Sequence, residues 1–235
     1  TMVGSCKFSD IVVMSFHPVK HITSAEGGVI LTNNKEFYRK LSLLRTYGIT
    51  KELDEFIYQE NAFENGGATE KGEALRKPWY AEQRYLGYNY RLSDLQCALG
   101  ISQLKKIGTF RQRRREIVDR YNAAFKGIAG ITIPFEESFC DSNFHLYVLL
   151  FDFKTLGTTR TQFMTMLKEK GIMTQVHYIP VHTQPLFREN FGTNWGDYPV
   201  AENYYQSCLS IPLYPALRDG DVEKVIQTIK ALVRK

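Results

Sequence analysis

The stretch at residues 14–31 holds a lysine whose surroundings suit chemistry on an aldehyde or ketone. Lys20 lies between an apolar, strand-like run and a Glu-Gly-Gly turn. A lysine amine attacks carbonyl carbons in its neutral form, which partial burial favours. Glycines let a ligand approach the backbone, and nearby hydroxyls suit a phosphate: Ser15, Thr23 and Ser24. This combination favours pyridoxal phosphate bound covalently to Lys20, although an ordinary surface lysine fits the same spacing.

The histidines and cysteines do not predict a metal site. His17 and His21 are four residues apart, but Pro18 and the strand-like context argue against the helix that would bring them together. The four cysteines lie far apart along the chain, without paired spacing. Reduced thiols in a cytoplasmic protein are the simpler interpretation.

Two aromatic and histidine clusters are candidates for ligand contact. His177, Tyr178 and His182 surround a proline, which fits either contact with a bound ligand or a structural turn. Trp79 and Tyr80 fit either stacking on a flat ring or packing of a loop over its own domain.

Composition narrows the class of partner. The chain has 235 residues and a formal net charge of +5. It has neither an apolar run of membrane-spanning length nor the pattern of a secretory signal, so we expect no membrane partner. The arginines at 113–115 are interpreted as a solvated helix face, since no nucleic-acid motif accompanies them. A small phosphorylated molecule suits the modest positive charge better than a nucleic acid.

Hydrophobic periodicity predicts alternating strands and helices. We expect strands at 10–16 and 27–33, and then a helix capped by Asn34 and ended by Gly48. A long polar loop is predicted over 50–86. Ser93 and Gln96 form a capping box that opens the next helix, with Leu95, Leu99 and Ile107 on its apolar face.

The second half shows the same alternation. Helices are predicted at 110–125, 159–171 and 221–233, and strands at 144–153, 172–179 and 208–214. The periodicity of the first and last helices predicts these inward-facing residues: Ile117, Val118, Tyr121, Phe125, Val222, Val225, Ile226, Ile229 and Leu232. Such a pattern indicates an α/β fold. We predict two domains, residues 1–110 and residues 111–235.

Three motifs resemble one enzyme family. The stretch "SFHPVKHITSAEGG" resembles the Ser-Phe-x-x-x-Lys-x-x-x-x-Gly-Glu-Gly-Gly signature of the DegT/DnrJ/EryC/StrS nucleotide-sugar aminotransferases. The runs "PWYAEQRYLGYNYRLSDLQCALGISQL" and "VHYIPVHTQP" resemble later motifs of the same family, in the same order. Within the family, the resemblance points to the enzymes of pseudaminic acid biosynthesis.

The resemblance implies a fold and a set of site residues. The fold is the type I fold of pyridoxal-phosphate-dependent transferases, with residues 1–110 as the C-terminal part of the large domain and 111–235 as the small domain. Lys20 would form the Schiff base and carry the proton, and Ser15 would bind the cofactor phosphate. Asn89, with Arg91 nearby, would reach the phosphate in a second copy of a homodimer. His177, Tyr178 and His182 would contact the nucleotide sugar.

The resemblance also implies a reaction. The amino group would pass from glutamate to C4 of a UDP-linked 4-keto-6-deoxy-N-acetylhexosamine, in a cytoplasmic pathway that leads to glycan or flagellin glycosylation. A dehydratase of the same family would have histidine in place of Lys20. The lysine therefore argues against that reaction.

The departures from the family pattern matter for the interpretation. Ala25 and Tyr47 stand where the family usually has glycine and histidine. Family members carry a long N-terminal part that supplies further cofactor contacts, among them an acidic residue for the ring nitrogen, and we expect this chain to lack that part. The chain alone is therefore predicted not to be a competent aminotransferase. The alternative function is a catalytically incomplete fragment that retains dimerisation and sugar-contact parts.

Overall fold

A computed structural model describes residues 1–64 and 75–233. Helices and strands alternate along the chain, as the hydrophobic pattern predicts. The chain divides into two compact units, Thr1–Leu104 and Lys105–Lys235. Each unit is described by itself. Within the described residues, no helix is both long and apolar enough to cross a membrane.

The first unit opens with a two-stranded antiparallel sheet. Strand β1 (Val12–Ser15) pairs with β2 (Gly28–Leu31), with Val12 opposite Leu31 and Ser15 opposite Gly28. Both strands lie within the ranges predicted for them. The register places the 12 residues between Ser15 and Gly28 in a loop at one end of the hairpin, and Lys20 lies in this loop.

Helix α1 (Lys35–Leu44) begins where the sequence predicts. The Asn34 side chain accepts hydrogen bonds from the backbone N–H groups of Glu36 and Phe37, which stabilises the helix start. Gly48 lies beyond the helix end with a positive φ of 71°, and its N–H donates to the carbonyl of Leu43. A Cβ at Gly48 would lie 2.0 Å from the Tyr85 carbonyl oxygen, so this close approach requires glycine.

The long loop predicted for 50–86 is wrong in part. Strand β3 (Ile49–Thr50) pairs with β4 (Glu82–Gln83), and two 3₁₀ turns occupy Leu53–Glu55 and Gln59–Ala62. The Glu82 carboxylate accepts from the N–H groups of Ile57 and Tyr58, which ties the segment together. The predicted loop also includes residues 65–74, which lie outside the described residues.

Helix α2 (Asp94–Leu104) has the predicted capping box. Gln96 accepts from the Ser93 N–H, and the Gln96 N–H donates to the Ser93 hydroxyl. Its predicted apolar face is not buried, since Leu95 is 84% exposed. Ile107 was assigned to this helix wrongly: it begins the next helix, α3 (Ile107–Phe125).

The second unit has a three-stranded antiparallel sheet. The strands are β5 (Ile131–Thr132), β6 (Tyr147–Phe151) and β7 (Cys208–Ile211), in the order β5-β6-β7. The strand predicted for 172–179 is wrong. That segment joins β7 only through an isolated bridge between Gln175 and Ser210.

Helices α3, α4 (Arg160–Glu169) and α7 (Asp219–Val233) pack with this sheet and form the core. The unit also contains α5 (Pro185–Phe191) and α6 (Pro199–Ser207). The predicted inward faces of α3 and α7 are confirmed. Leu232 is partly buried, and the other predicted positions are buried: Ile117, Val118, Tyr121, Phe125, Val222, Val225, Ile226 and Ile229. They join the strand residues in one hydrophobic cluster. The periodicity of these helices therefore predicted their buried faces.

The arginine run on α3 is not simply a solvated face. Arg113 donates to Asp219 at 2.7 Å, and Arg115 pairs with Glu136 at 2.8 Å. Arg114 is only 5% exposed and donates to three carbonyl oxygens. For Arg114 the predicted solvated position was wrong. The three cations serve contacts within the unit.

Candidate active site

The loop that carries Lys20 is folded by backbone hydrogen bonds. The Phe16 N–H donates to the Gly27 carbonyl at 2.8 Å, and the Ser24 N–H donates to the Phe16 carbonyl at 3.0 Å. The Lys20 N–H donates to the His17 carbonyl at 2.9 Å, which forms a tight turn inside the loop. The lysine is therefore held on a structured turn close to the end of β1.

The Lys20 side chain is half-buried, and Ser15 is exposed on the same hairpin. Within the described residues, no carboxylate forms an ion pair with the Lys20 amine. The Ser15 hydroxyl oxygen accepts from the His17 N–H at 3.3 Å, and its own proton can be donated to a ligand. An amine on the loop and a hydroxyl at the end of β1 fit an aldehyde and a phosphate oxygen.

Helix α2 packs against this loop. A Cβ at Gly27, whose φ is 136°, would lie 2.6 Å from Leu92 and 2.9 Å from the Ser24 hydroxyl. The Gln96 side chain donates to the carbonyl of Glu26 at 3.1 Å. Glycine at position 27 therefore permits the close contact that fixes the lysine loop on the helix start.

Asn89 and Arg91 lie in the segment that leads into α2. Asn89 forms an isolated bridge with Thr46, and the Arg91 guanidinium lies over the ring of Tyr47 at 5.1 Å. The Tyr47 ring therefore gives Arg91 an aromatic partner. Asn89 and Arg91 thus precede Leu92 by only a few residues, and Leu92 lies beside Gly27 of the lysine loop.

The second unit contains a cleft of about 780 Å³ at the predicted sugar-contact segment. One wall is the run from His177 to Val181, and the other is the run from Asp197 to Ala201 together with Tyr204. The Tyr178 side chain is 72% exposed. The His177 Nδ1 atom lies 2.7 Å from the Ser210 hydroxyl, so one nitrogen of this ring has a partner within the fold.

His182 faces the protein rather than open solvent. Its Nε2 atom lies 2.9 Å from Glu202 Oε1, and the two side chains are only 11% and 10% exposed. Desolvation by burial raises the pKa of Glu202, but hydrogen bonds from His182 and from backbone N–H groups outweigh it and lower that pKa below its ordinary value. The pair joins the two segments that line the cleft.

Several residues of the cleft were not predicted as site residues. Tyr198, Val200 and Tyr204 line the cleft, and Glu202 directly follows one of its walls in sequence. Tyr205 packs under the Arg160 guanidinium, which lies 4.5 Å from its ring centre. Pro199 at the first position of α6, followed by an acid in the first turn, was a usable signal for Glu202.

Trp79 and Tyr80, the two aromatic residues that were candidates for stacking, differ in their surroundings. Tyr80 packs edge-on against Phe56, and its hydroxyl donates to Glu82 at 3.0 Å. Trp79 is exposed. Packing is therefore the role that the structure gives to Tyr80.

The described residues contain no cluster of three or more histidine, cysteine, aspartate or glutamate side chains that could hold a metal ion. The four cysteines are free thiols, and Cys208 alone among them is buried. The site chemistry that the structure supports is that of an amine, hydroxyls and aromatic rings.

Comparison with known proteins identifies relatives over almost the whole chain. Residues 2–230 match the family described as the DegT/DnrJ/EryC1/StrS aminotransferase family. The spore coat polysaccharide biosynthesis protein SpsC of Bacillus subtilis is 37% identical over 99% of this chain and 56% of its own length. The UDP-4-amino-4,6-dideoxy-N-acetyl-beta-L-altrosamine transaminase of Campylobacter jejuni is 33% identical over 99% of this chain and 54% of its own length.

A solved structure shows the same fold. PseC of Helicobacter pylori, an aminotransferase of pseudaminic acid biosynthesis, superposes with a TM-score of 0.80 and 29% identity over 97% of this chain and 54% of its own. The expected α/β fold of type I aminotransferases is thereby confirmed for the part that the chain spans. The chain spans about half the length of the relatives it matches.

Proposed function

Since the chain belongs to the DegT/DnrJ/EryC1/StrS aminotransferase family, we propose that it carries the lysine-bearing half of a pyridoxal-phosphate-dependent nucleotide-sugar aminotransferase. The reaction transfers the amino group of glutamate to C4 of a UDP-linked 4-keto-6-deoxy-N-acetylhexosamine. The Campylobacter relative, whose name describes a UDP-4-amino sugar transaminase, supports this substrate class. The observation that carries the proposal is the half-buried Lys20 on its structured loop.

Lys20 is the covalent and acid–base residue of the proposal. Bound pyridoxal phosphate supplies an aldehyde carbon and a ring that accepts electrons. With the cofactor bound, the Lys20 Nζ atom would hold that carbon and would move a proton between neighbouring carbons of the substrate. Its amine fits both tasks because no carboxylate of the described residues forms an ion pair with it.

Three other residues of the first unit bind the cofactor phosphate in this proposal. The Ser15 hydroxyl donates to a phosphate oxygen from the end of β1. Asn89 and Arg91 serve the phosphate of a second copy in a homodimer, with Arg91 oriented by the Tyr47 ring at 5.1 Å. Glutamate and the keto-sugar use the same site in turn, as a two-step transfer requires.

The cleft of the second unit binds the nucleotide sugar. Tyr178 offers an exposed ring for stacking, and His177 lies beside it in the same wall of the cleft. An apolar, aromatic lining with few polar groups is typical of small-molecule sites. The product of such an enzyme would enter bacterial glycan synthesis, of which flagellin glycosylation is one example.

Pyridoxal phosphate titration tests the proposal. Addition of the cofactor to the purified chain should give a saturable visible absorbance band, and Lys20→Ala should abolish that band. Lys51→Ala, which removes an exposed lysine of the same unit, should leave the band unchanged. A band that persists in Lys20→Ala, or one that also disappears in Lys51→Ala, would contradict the role of Lys20.

A second function is favoured by a single observation. The chain spans about half the length of its relatives, and the resembled family takes an acidic partner for the cofactor ring from its N-terminal part. A catalytically incomplete chain that retains dimerisation and sugar contact is therefore the alternative. Turnover of a UDP-4-keto sugar by the chain alone, at the rate of a full-length relative, would exclude this alternative.

A further inference from the structure

The two walls of the cleft are joined by a pair of buried side chains behind them. His182 directly follows the wall formed by 177–181, and Glu202 directly follows the wall formed by 197–201. Their side chains meet at 2.9 Å, with nine-tenths of each side chain buried. A bond between these two residues therefore fixes the separation of the walls.

The Glu202 carboxylate makes more contacts than this one. Oε1 and Oε2 accept from the Gly196 N–H at 2.8 and 3.0 Å, and Oε1 also accepts from the Tyr198 N–H at 3.3 Å. The Tyr198 ring lies 4.7 Å from the His182 ring. The carboxylate thus holds the loop before α6 and the turn at His182 at the same time.

The backbone on both sides of His182 is also held by hydrogen bonds. The Thr193 hydroxyl donates to the His182 carbonyl at 2.6 Å, and the Thr183 hydroxyl donates to the Pro180 carbonyl at 2.7 Å. A buried carboxylate is costly unless its oxygens are hydrogen-bonded. The Glu202 carboxylate accepts from His182 in one segment and from Gly196 and Tyr198 in another. Capping of a helix requires donors from only one segment.

We infer that Glu202, held by His182, is the positioning residue of the cleft and sets the spacing between the walls that bind the nucleotide sugar. This inference rests on the proposed function for the identity of the ligand, but the joining of the walls does not. His182, predicted to touch the substrate, acts through Glu202 instead. The bound sugar contacts Tyr178 and the aromatic walls, and Glu202 remains behind them.

Hydrogen exchange and ligand binding together test the inference. In Glu202→Gln, the amide protons of Gly196 and Tyr198 should exchange at least about tenfold faster than in the wild type, since they lose a charged acceptor. Binding of the probe UDP-N-acetylglucosamine should weaken at least about fivefold, since small displacements of positioning groups are costly. Glu189→Gln, a change at an exposed position of α5, should alter neither quantity.

A second pair of variants separates positioning from stability. His182→Gln keeps a donor for Glu202, whereas His182→Phe keeps the ring and removes the donor. We expect the probe affinity to be largely retained by His182→Gln and lost by His182→Phe, with the circular dichroism of both unchanged.

The other possible results for Glu202→Gln also decide whether the inference holds. Unchanged exchange in Glu202→Gln would overturn the inference, and so would faster exchange with undiminished probe binding. If the wild type binds no UDP-N-acetylglucosamine, the proposed ligand is wrong, and the exchange of Gly196 and Tyr198 alone then decides whether Glu202 joins the walls.

Discussion

At the scale of single residues, Ala25 has a backbone conformation that an alanine side chain disfavours. Its φ is 68°, in the left-handed region, and its N–H donates to the Thr23 hydroxyl at 2.9 Å. Left-handed backbone costs an L-residue roughly 1–2 kcal/mol. The lysine loop therefore holds backbone strain at Ala25.

Replacement of Ala25 by glycine should relieve this strain. We expect Ala25→Gly to stabilise the protein by about 0.5–1 kcal/mol, because the relief exceeds the added entropy of the unfolded chain. Ala98→Gly, at an exposed position inside α2, should instead destabilise it by about 1 kcal/mol. Chemical denaturation of both variants measures the two changes. Destabilisation by Ala25→Gly would contradict the strain at this residue.

The depressed pKa of Glu202 predicts an effect of acid. A carboxyl whose pKa is lower in the folded than in the unfolded chain stabilises the fold above the unfolded value, and this contribution is lost as the pH falls through the folded value. We expect the thermal midpoint of the wild type to fall on acidification below about pH 4.5, the ordinary value for this carboxyl. Glu202→Gln should have a lower midpoint near neutrality and a shallower fall.

Comparison of midpoints over this pH range makes the test specific to Glu202. Glu189→Gln should follow the wild-type curve throughout, because Glu189 is exposed. Parallel curves for the wild type and Glu202→Gln down to acid pH would contradict a stabilising role of the carboxylate.

At the scale of elements, Arg114 connects helix α3 to the chain on either side of the sheet. Its Nη1 atom donates to the carbonyls of Phe144 and His145 before β6, and of Leu213 after β7, at 3.3, 3.3 and 3.0 Å. Burial lowers the pKa of this guanidinium. The helix therefore supplies hydrogen bonds that the carbonyls would otherwise lack.

Removal of this cation should be costly. Arg114→Met should destabilise the protein by about 2–4 kcal/mol, because it leaves carbonyl groups without donors in a buried place. Arg111→Met, on the same helix, removes a partly exposed arginine that pairs with Asp141, and should cost less than about 1 kcal/mol. Equal losses in the two variants, measured by urea unfolding, would contradict the role of Arg114.

The sequence predicted the long elements better than the short ones. Asn34 and the Ser93–Gln96 box located two helix starts, because capping depends on residues close in sequence. The two-residue strands β3 and β4 were missed because their pairing joins segments more than 30 residues apart. Residues 172–179 have strand-like composition, but only Gln175 pairs with β7.

The candidate site was predictable to a similar extent. Lys20 and Ser15 were selected because their motif resembles that of a known family, and their roles stay predictions. Glu202 was not predicted, since its contact with His182 spans 20 positions, and Pro199 followed by an acid in the first turn signals only the start of a helix. The resemblance also assigned the role of His182 without showing that its Nε2 faces Glu202.

At the scale of the whole molecule, the two units differ in how much core they contain. The one hydrophobic cluster of the described residues lies in the second unit, around α3, α7 and the three-stranded sheet. The first unit contains two two-stranded sheets, β1-β2 and β3-β4, and Val13 on β1 is 70% exposed. The lysine loop therefore lies at the end of a short two-stranded sheet.

The two units correspond to about half of an aminotransferase of the matched family. The chain matches the family from residue 2 to residue 230, and spans about half of each relative compared. The proposed division of labour is cofactor linkage in the first unit and sugar contact in the second. We expect the chain alone to bind the cofactor without rapid turnover of a keto-sugar.

Borohydride reduction with pyridoxal phosphate tests the central claim most directly. The chain is incubated with the cofactor, reduced, digested and analysed by mass spectrometry. We predict that the cofactor-derived mass lies on the peptide that contains Lys20, at near-stoichiometric yield, and that it is absent in Lys20→Ala. Label spread over exposed lysines such as Lys51, or no label on Lys20 at saturating cofactor, would contradict the claim.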